Sequence, residues 1–435
     1  MIKTKEMDDK TKKKCKMSMF NILFEEEGRF FICNTLRGGV HEIDENAYRI
    51  CNLAQNGGLK TNQIPTDLAE GLSGSGYIVQ ENDDVEAINK LRYLKLLKSF
   101  QSERLTLIIA PTLYCNFACP YCYEKDLPRL FMKDEIIDDL ISFIKAREKS
   151  FKQLEICWHG GEPLSAINVI DKILKRIKSE ICLKISRHSI VTNGYLINKK
   201  VYKCFSDHPL DYIQITIDGG EVTHNQNRIS KDGKPTFNTI IANVDELIKE
   251  LPLVNIGIRM NVHKGNVDEF IPLYEELSER WKTDRINIYP AFVMDSQSCR
   301  VPCFNSVEKT SFLHSIYKKI GVKYSDINMR LKTGDCTAIY ENSYVIDPDG
   351  GLFKCWADVG LPKMRVGDLK RGVLNHSLVE KYMLSSDKFT DKKCLNCSIF
   401  PICDGGCNRS RVSSDFYTKD ICPLSPEFIA KCTIP

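Results

Sequence analysis

Three cysteines in eight residues, Cys115-Asn116-Phe117-Ala118-Cys119-Pro120-Tyr121-Cys122, are the strongest chemical signal in the sequence. Three thiolates on one loop can share a metal cluster. A cube of four irons needs four ligands, so three cysteines leave one iron open to a substrate or cofactor. The alternative is a zinc loop, but zinc sites usually pair two cysteines with a second pair at finger-like distance, and none follows within about 30 residues. Seven more cysteines, Cys336, Cys355, Cys394, Cys397, Cys403, Cys407 and Cys422, form a second array. A lone zinc site there would use four and strand three thiols. With 19 cysteines, an odd count, and no apolar leader, metal-bound thiolates in the cytoplasm are a better reading than disulfides.

These loops need a scaffold. From Leu105 to Ala291, apolar runs (105–110, 154–158, 186–192, 212–217, 253–262 and 285–291) alternate with amphipathic stretches (133–147, 169–181, 199–205, 237–250 and 267–281). Six such repeats predict a parallel sheet with crossover helices, an open wound sheet or a partial barrel, with the active site at the carboxyl ends of its strands. The cysteine loop follows the first run, Gly160-Gly161-Glu162-Pro163 the second, Thr192-Asn193-Gly194 the third and Asp218-Gly219-Gly220 the fourth. Taken singly, the last three are turn chemistry.

The C-x3-C-x2-C loop, with Tyr121 before its last cysteine, resembles the signature of the radical S-adenosylmethionine (SAM) enzymes. The resemblance implies a [4Fe-4S] cluster on Cys115, Cys119 and Cys122. It also implies SAM contacts from Tyr121, from Gly160, Gly161 and Glu162 at the amino group, and from Thr192, Asn193, Asp218 and Arg228 near the ribose and carboxylate. The C-terminal array resembles the SPASM extension of these enzymes, which holds two auxiliary [4Fe-4S] clusters. Carried over by position, Cys394, Cys397, Cys403 and Cys422 hold the distal cluster and Cys336, Cys355 and Cys407 the nearer one, giving three clusters in all. Seven ligands serve two clusters. Asn342 stands where sulfatase-maturing members place another cysteine, so the nearer cluster keeps an open iron unless Cys299, Cys303 or Cys432 closes it. Trp356 stands where those members place a basic aspartate, and the nearest carboxylate is Asp358. No catalytic acid or base follows from spacing. Cys15, Cys33, Cys51, Cys157, Cys182 and Cys204 read as small core residues.

Before the repeats, short strands over 20–24, 29–33 and 40–43 precede helices capped by Asp44 and Thr66 and a last strand at 77–79. The pattern is that of a winged-helix module or of a plain packing domain. The winged reading resembles the leader-recognition element of enzymes that modify ribosomally made peptides. The fold expected is therefore α/β: a basic mobile tail (1–18), a winged-helix module (19–82), a linker helix (83–103) with Ile88, Leu91, Leu94 and Leu97 on one face, a partial (β/α)6 barrel (104–292), a bridge (293–334) and an iron-sulfur SPASM domain (335–435).

The whole resembles thioether-forming, sactipeptide- or ranthipeptide-type peptide maturases. That implies a 5'-deoxyadenosyl radical, a cysteine-containing precursor peptide with a leader, and reduced flavodoxin or ferredoxin as electron donor. The alternatives are carbon-carbon crosslinking, anaerobic sulfatase formylglycine maturation and, from another class, a non-enzymatic iron-sulfur electron carrier. The 61 basic and 57 acidic side chains leave +4, which demands neither nucleic acid nor an anionic membrane. No apolar run approaches the ~18 residues needed to span a bilayer.

Overall fold

The computed structural model describes residues 14–100, 103–124, 127–293, 299–321, 330–413, 422, 425 and 426. Residues 1–13 of the expected tail and Cys432 lie outside them. The first element falls inside the stretch assigned to the tail: β1 (Cys15–Met17) pairs antiparallel with β5 (Ile78–Gln80), and Met17 is buried. The lysine-rich composition conceals that apolar anchor. Strands β2 (Asn21–Glu26), β3 (Arg29–Asn34) and β4 (Gly39–Ile43) form a separate antiparallel meander.

Helix α1 (Glu45–Gln55) starts at Asp44, whose carboxylate accepts from Ala47 N at 2.8 Å. In α2 (Thr66–Gly74) Pro65 takes the N-cap position and Thr66 is already helical, so Thr66 caps nothing. Helix α3 (Asp83–Phe100) buries Asp84, Ile88, Leu91, Lys95 and Ser99 and leaves Leu94 exposed. Asp84 and Lys95 take this face because they have partners. Asp84 accepts from Ser18 Oγ at 2.8 Å and Met19 N at 2.9 Å, and Lys95 meets Asp387 at 3.0 Å. The helix thereby joins the N-terminal module to the C-terminal cysteine region.

The expected repeats are present in order: β6 (Arg104–Ile109), α4 (Asp134–Lys145), β7 (Gln153–Trp158), α5 (Ile167–Glu180), β8 (Lys184–Thr192), α6 (Lys199–Asp207), β9 (Tyr212–Thr216), α7 (Glu221–Asn227), α8 (Phe237–Glu250), β10 (Asn255–Val262), α9 (Phe270–Arg280) and β11 (Ile286–Phe292). Each long helix lays an i, i+3, i+4, i+7 stripe on the sheet, as with Ile170, Ile173, Leu174 and Ile177 of α5. The six strands pair in parallel and in sequence order.

After α10 (Ser306–Ile320) the chain returns to the same sheet. Strand β12 (Ser343–Ile346) pairs in parallel with β6, Val345 opposite Ile108, and β13 (Gly351–Phe353), β14 (Gly367–Asp368) and β15 (Gly372–Val373) follow antiparallel. The C-terminal region therefore shares one ten-stranded sheet with the parallel repeats. No helix among the described residues is long and apolar enough to cross a membrane.

Candidate functional site

Strand β6 delivers the chain to the cysteine loop, which two neighbours hold. Ala118 N donates to Ile229 O at 2.7 Å and Lys231 N to Asn116 O at 2.9 Å. The loop after β7 passes beneath it. A Cβ on Gly160 (φ 111°) would lie 2.4 Å from Thr112 O, and one on Gly161 would lie 2.5 Å from Tyr114 O. The glycines are thus required for backbone packing against the cysteine loop itself.

The Glu162 carboxylate accepts from Thr192 Oγ1 (2.7 Å), Asn193 N (2.7 Å) and Leu164 N (3.0 Å), which locks the loop after β7 to that after β8. Burial raises its pKa, and these donors oppose the rise. Asn193 Nδ2 continues the chain of contacts to Asn116 at 2.7 Å.

Tyr121 reaches across the strand ends. Its hydroxyl donates to Asp218 and accepts from Arg228 Nη1 and Asn261 Nδ2, each at 3.3 Å, while Asn261 N donates to Asp218 at 2.8 Å. Burial opposes the Arg228 charge, but Cys119, Tyr121 and Asp218 hold the guanidinium protonated. Burial pushes the Cys115 and Cys122 thiols up to about 12, and the three loop cysteines reinforce one another. A cluster entering this loop must displace protons as it binds.

The C-terminal cysteines fall into two groups. Cys394, Cys397, Cys403 and Cys422 line one small cavity beside Lys388. The buried Lys388 ammonium donates to three carbonyls, Lys332 O at 2.7 Å and Phe400 O and Cys403 O at 2.8 Å. Cys336, Cys355 and Cys407 form the other group. Burial raises the Cys355 thiol well above its ordinary value, and Asp358, Cys407 and Cys336 push it the same way. Asp358 is no free base: buried, it bonds Arg409 and the Tyr382 hydroxyl. That ion pair brings the segment after Cys355 against the segment after Cys407. Asn342 stands at the start of β12, its carbonyl accepting from Thr106 N at 2.9 Å.

Several assignments change. Cys299 and Cys303 lie against each other, Sγ to Sγ 3.3 Å, and Arg300 N between them donates to Pro120 O at 3.3 Å. They border the first cysteine loop. Cys33, Cys51 and Cys204 are buried as expected, whereas Cys15 and Cys182 are exposed.

Two functional candidates escaped the sequence. Glu124, two residues after Cys122, and His159, directly before Gly160, bury Oε1 and Nδ1 without hydrogen-bond partners. Tyr123 OH contacts His159 Nε2 at 3.3 Å, and Trp356 packs edge-on against the His159 ring at 4.9 Å. Trp356 in turn donates to Thr337, next to Cys336, at 3.0 Å. This polar pair therefore lies between the first cysteine loop and the Cys336, Cys355 and Cys407 group. Adjacency to two motifs was the only sequence signal available for it.

Among the described residues, no three His, Cys, Asp or Glu side chains converge as ligands of a single metal ion. A zinc site draws its ligands to within ~2.3 Å of one point, whereas a four-iron cube offers each thiolate its own corner.

The Radical SAM superfamily matches residues 109–277, from the end of β6 into α9. These residues form a radical SAM domain. The chain is 24% identical over 432 residues to the radical SAM cyclopropyl synthase TigE of Paramaledivibacter caminithermalis, covering 89% of this chain and 88% of that protein. It is 22% identical to the cysteine-type anaerobic sulfatase-maturating enzyme of Clostridium novyi, covering 71% and 88%. Among solved structures, native anSMEcpe with bound AdoMet and Kp18Cys peptide gives a TM-score of 0.58 at 20% identity, covering 76% of this chain and 94% of that one. Streptococcus suis SuiB bound to S-adenosylmethionine gives 0.54 at 18%, covering 94% and 100%. The likeness to both is one of fold.

A radical SAM domain implies SAM and a [4Fe-4S] cluster. The residues present fit both. Cys115, Cys119 and Cys122 supply three thiols and leave one iron position for another ligand, and the Arg228 Nε is buried without a partner where a carboxylate could take it.

Proposed function

We propose that this radical SAM enzyme is a peptide maturase that joins a cysteine sulfur to a carbon of another residue in a ribosomally made precursor. When bound, the first cluster and SAM supply a 5'-deoxyadenosyl radical able to abstract a substrate hydrogen. Cys115, Cys119 and Cys122 hold that cluster. Arg228 faces the SAM carboxylate, and Tyr121 and Asp218 fix the guanidinium. Gly160 and Gly161 offer the amino group backbone carbonyls, and Glu162, Thr192 and Asn193 set the loops.

The grouping of the C-terminal cysteines supports two auxiliary clusters, three in all. Cys394, Cys397, Cys403 and Cys422 hold one; Cys336, Cys355 and Cys407 hold the other and leave one iron for the substrate thiolate. The observation that carries the reading is the continuity from Tyr123 through His159 and Trp356 to Thr337, which sets the three-cysteine group against the SAM site.

The N-terminal module is the leader-binding element. Ile22 and Leu23 of β2, an outer strand of its sheet, line a groove of about 930 Å³ shared with Cys397 and Cys422. A peptide added there as a strand gains main-chain bonds while its core segment reaches the barrel. A reduced flavodoxin or ferredoxin is the electron donor, in the cytoplasm.

The test is anaerobic turnover with a cysteine-containing precursor. Thioether formation removes two hydrogens and one titratable thiol, and replacing the peptide cysteine by alanine stops it. A second reading, carbon-carbon bond formation, draws on the similarity to a cyclopropyl synthase over most of the chain; then the alanine peptide still loses two hydrogens. Conversion of a short sulfatase-motif peptide to formylglycine would favour the sulfatase reading instead.

A further inference from the structure

After β11 in sequence comes the segment Cys299-Arg300-Val301-Pro302-Cys303, which none of the three ligand sets proposed above includes. Its two thiols are 3.3 Å apart, half-buried, and both directed at Val301 O at 3.5 Å. A disulfide needs the sulfurs at ~2.05 Å with Cβ atoms at about 3.5–4.5 Å, so these thiols are one small side-chain rotation from bonding. Backbone bonds already preset the loop: Lys264 N donates to Pro302 O at 2.9 Å and Arg300 N to Pro120 O at 3.3 Å. Arg300, exposed and next in sequence to Cys299, gives the loop a cation that attracts an anionic reagent.

We propose that Cys299 and Cys303 are a reversible dithiol-disulfide site whose co-reactant is a small anionic disulfide of the glutathione class. The Cys299 thiolate attacks one sulfur of that disulfide, forming a mixed disulfide and releasing one thiolate. Cys303, having lost its proton to solvent, then attacks the Cys299 sulfur, closes the ring and releases the second thiolate. Two protein thiols are oxidised, one disulfide is reduced to two thiols, and no metal takes part. The closed ring fixes the residue whose amide holds the first cysteine loop at Pro120, so the thiol state of the surroundings sets the stiffness of that loop.

The sequence supplies a clean readout. Trypsin cuts after Arg285, Arg300 and Lys309, so Cys299 and Cys303 leave on two different peptides, 286–300 and 301–309. Cluster-loaded enzyme is incubated anaerobically with oxidised glutathione, alkylated and digested. The expected result is the two peptides joined to each other and separated by dithiothreitol. Recovery of both as alkylated thiols, or each carrying its own glutathione, overturns the proposal. In Cys303→Ser the exchange should stop at a stable glutathione adduct on Cys299. Because the iron content reports folding independently, a Cys303→Ser protein with full iron and an unmodified Cys299 also overturns it.

Discussion

Glu124 Oε1 and His159 Nδ1 face each other 3.9 Å apart, both buried and neither in a hydrogen bond. Unpaired buried polar atoms cost about 1–3 kcal/mol each, and a fold keeps such a pair where a ligand completes it. On the proposed function, that ligand is the peptide. Glu124→Gln and His159→Ala should each raise the KM for peptide about tenfold to a hundredfold while reductive SAM cleavage without peptide stays within about twofold. Equal losses in both assays would remove the pair from the substrate site.

Arg228 should matter to SAM and not to iron. Hydrogen bonds to charged groups contribute about 1.5–3 kcal/mol, so Arg228→Gln should weaken SAM binding by roughly ten- to hundredfold at unchanged iron content, read by anaerobic equilibrium dialysis. Iron lost in proportion to SAM binding would instead make Arg228 a scaffold for the cysteine loop, since its guanidinium also lies over the Phe117 ring.

Lys388 tests the distal group from outside the thiols. Its ammonium holds three carbonyls, one of them that of Cys403. Burial lowers its pKa to about 8. Lys388→Met leaves those carbonyls unpaired in a buried place, and the protein should lose about four of roughly twelve irons while keeping SAM cleavage. Retention of all iron would show that the four cysteines need no such brace.

A separate pH effect resides in His188 of β8. Trp158 Nε1 donates to its Nε2 at 2.8 Å, so Nδ1 carries the proton and donates to Pro209 O at 2.9 Å. Burial lowers its pKa to about 4. Between that value and the ordinary 6.5, the unfolded chain binds a proton that the folded chain refuses. Stability is therefore full above pH 6.5 and is lost as pH falls toward 4, by about 2 kcal/mol at pH 5. Urea unfolding of wild type and His188→Gln at pH 7 and pH 5 should show the larger drop in wild type; parallel drops would assign the acid sensitivity elsewhere.

The barrel was legible because its information is local. Each apolar run and each helical stripe lies within a dozen residues, and all six strands begin within two residues of their expected starts; the largest offsets are β8, which begins at Lys184, and β10, at Asn255. The cysteine loop was legible for the same reason. What escaped depends on partners distant in sequence. Lys95 takes the buried face of α3 in place of Leu94 because the C-terminal region offers its ammonium Met383 O and Asp387. Thr66 has a capping side chain, but Pro65 before it takes the N-cap place and Thr66 is already in the helix. Glu124 and His159 are separated by 34 intervening residues, and only the packing of β6 beside β7 brings them together.

The pairing of β12 with β6 also bears on how the chain is made. A ribosome releases the whole parallel repeat well before residues 343–346, so the nascent barrel waits with β6 as an open edge until its neighbour emerges. Clipping the chain after β11 would make that temporary state permanent, yielding sticky, self-associating protein. The C-terminal region thus covers the edge that the parallel repeat leaves bare at β6, and it cannot be exchanged like a cartridge.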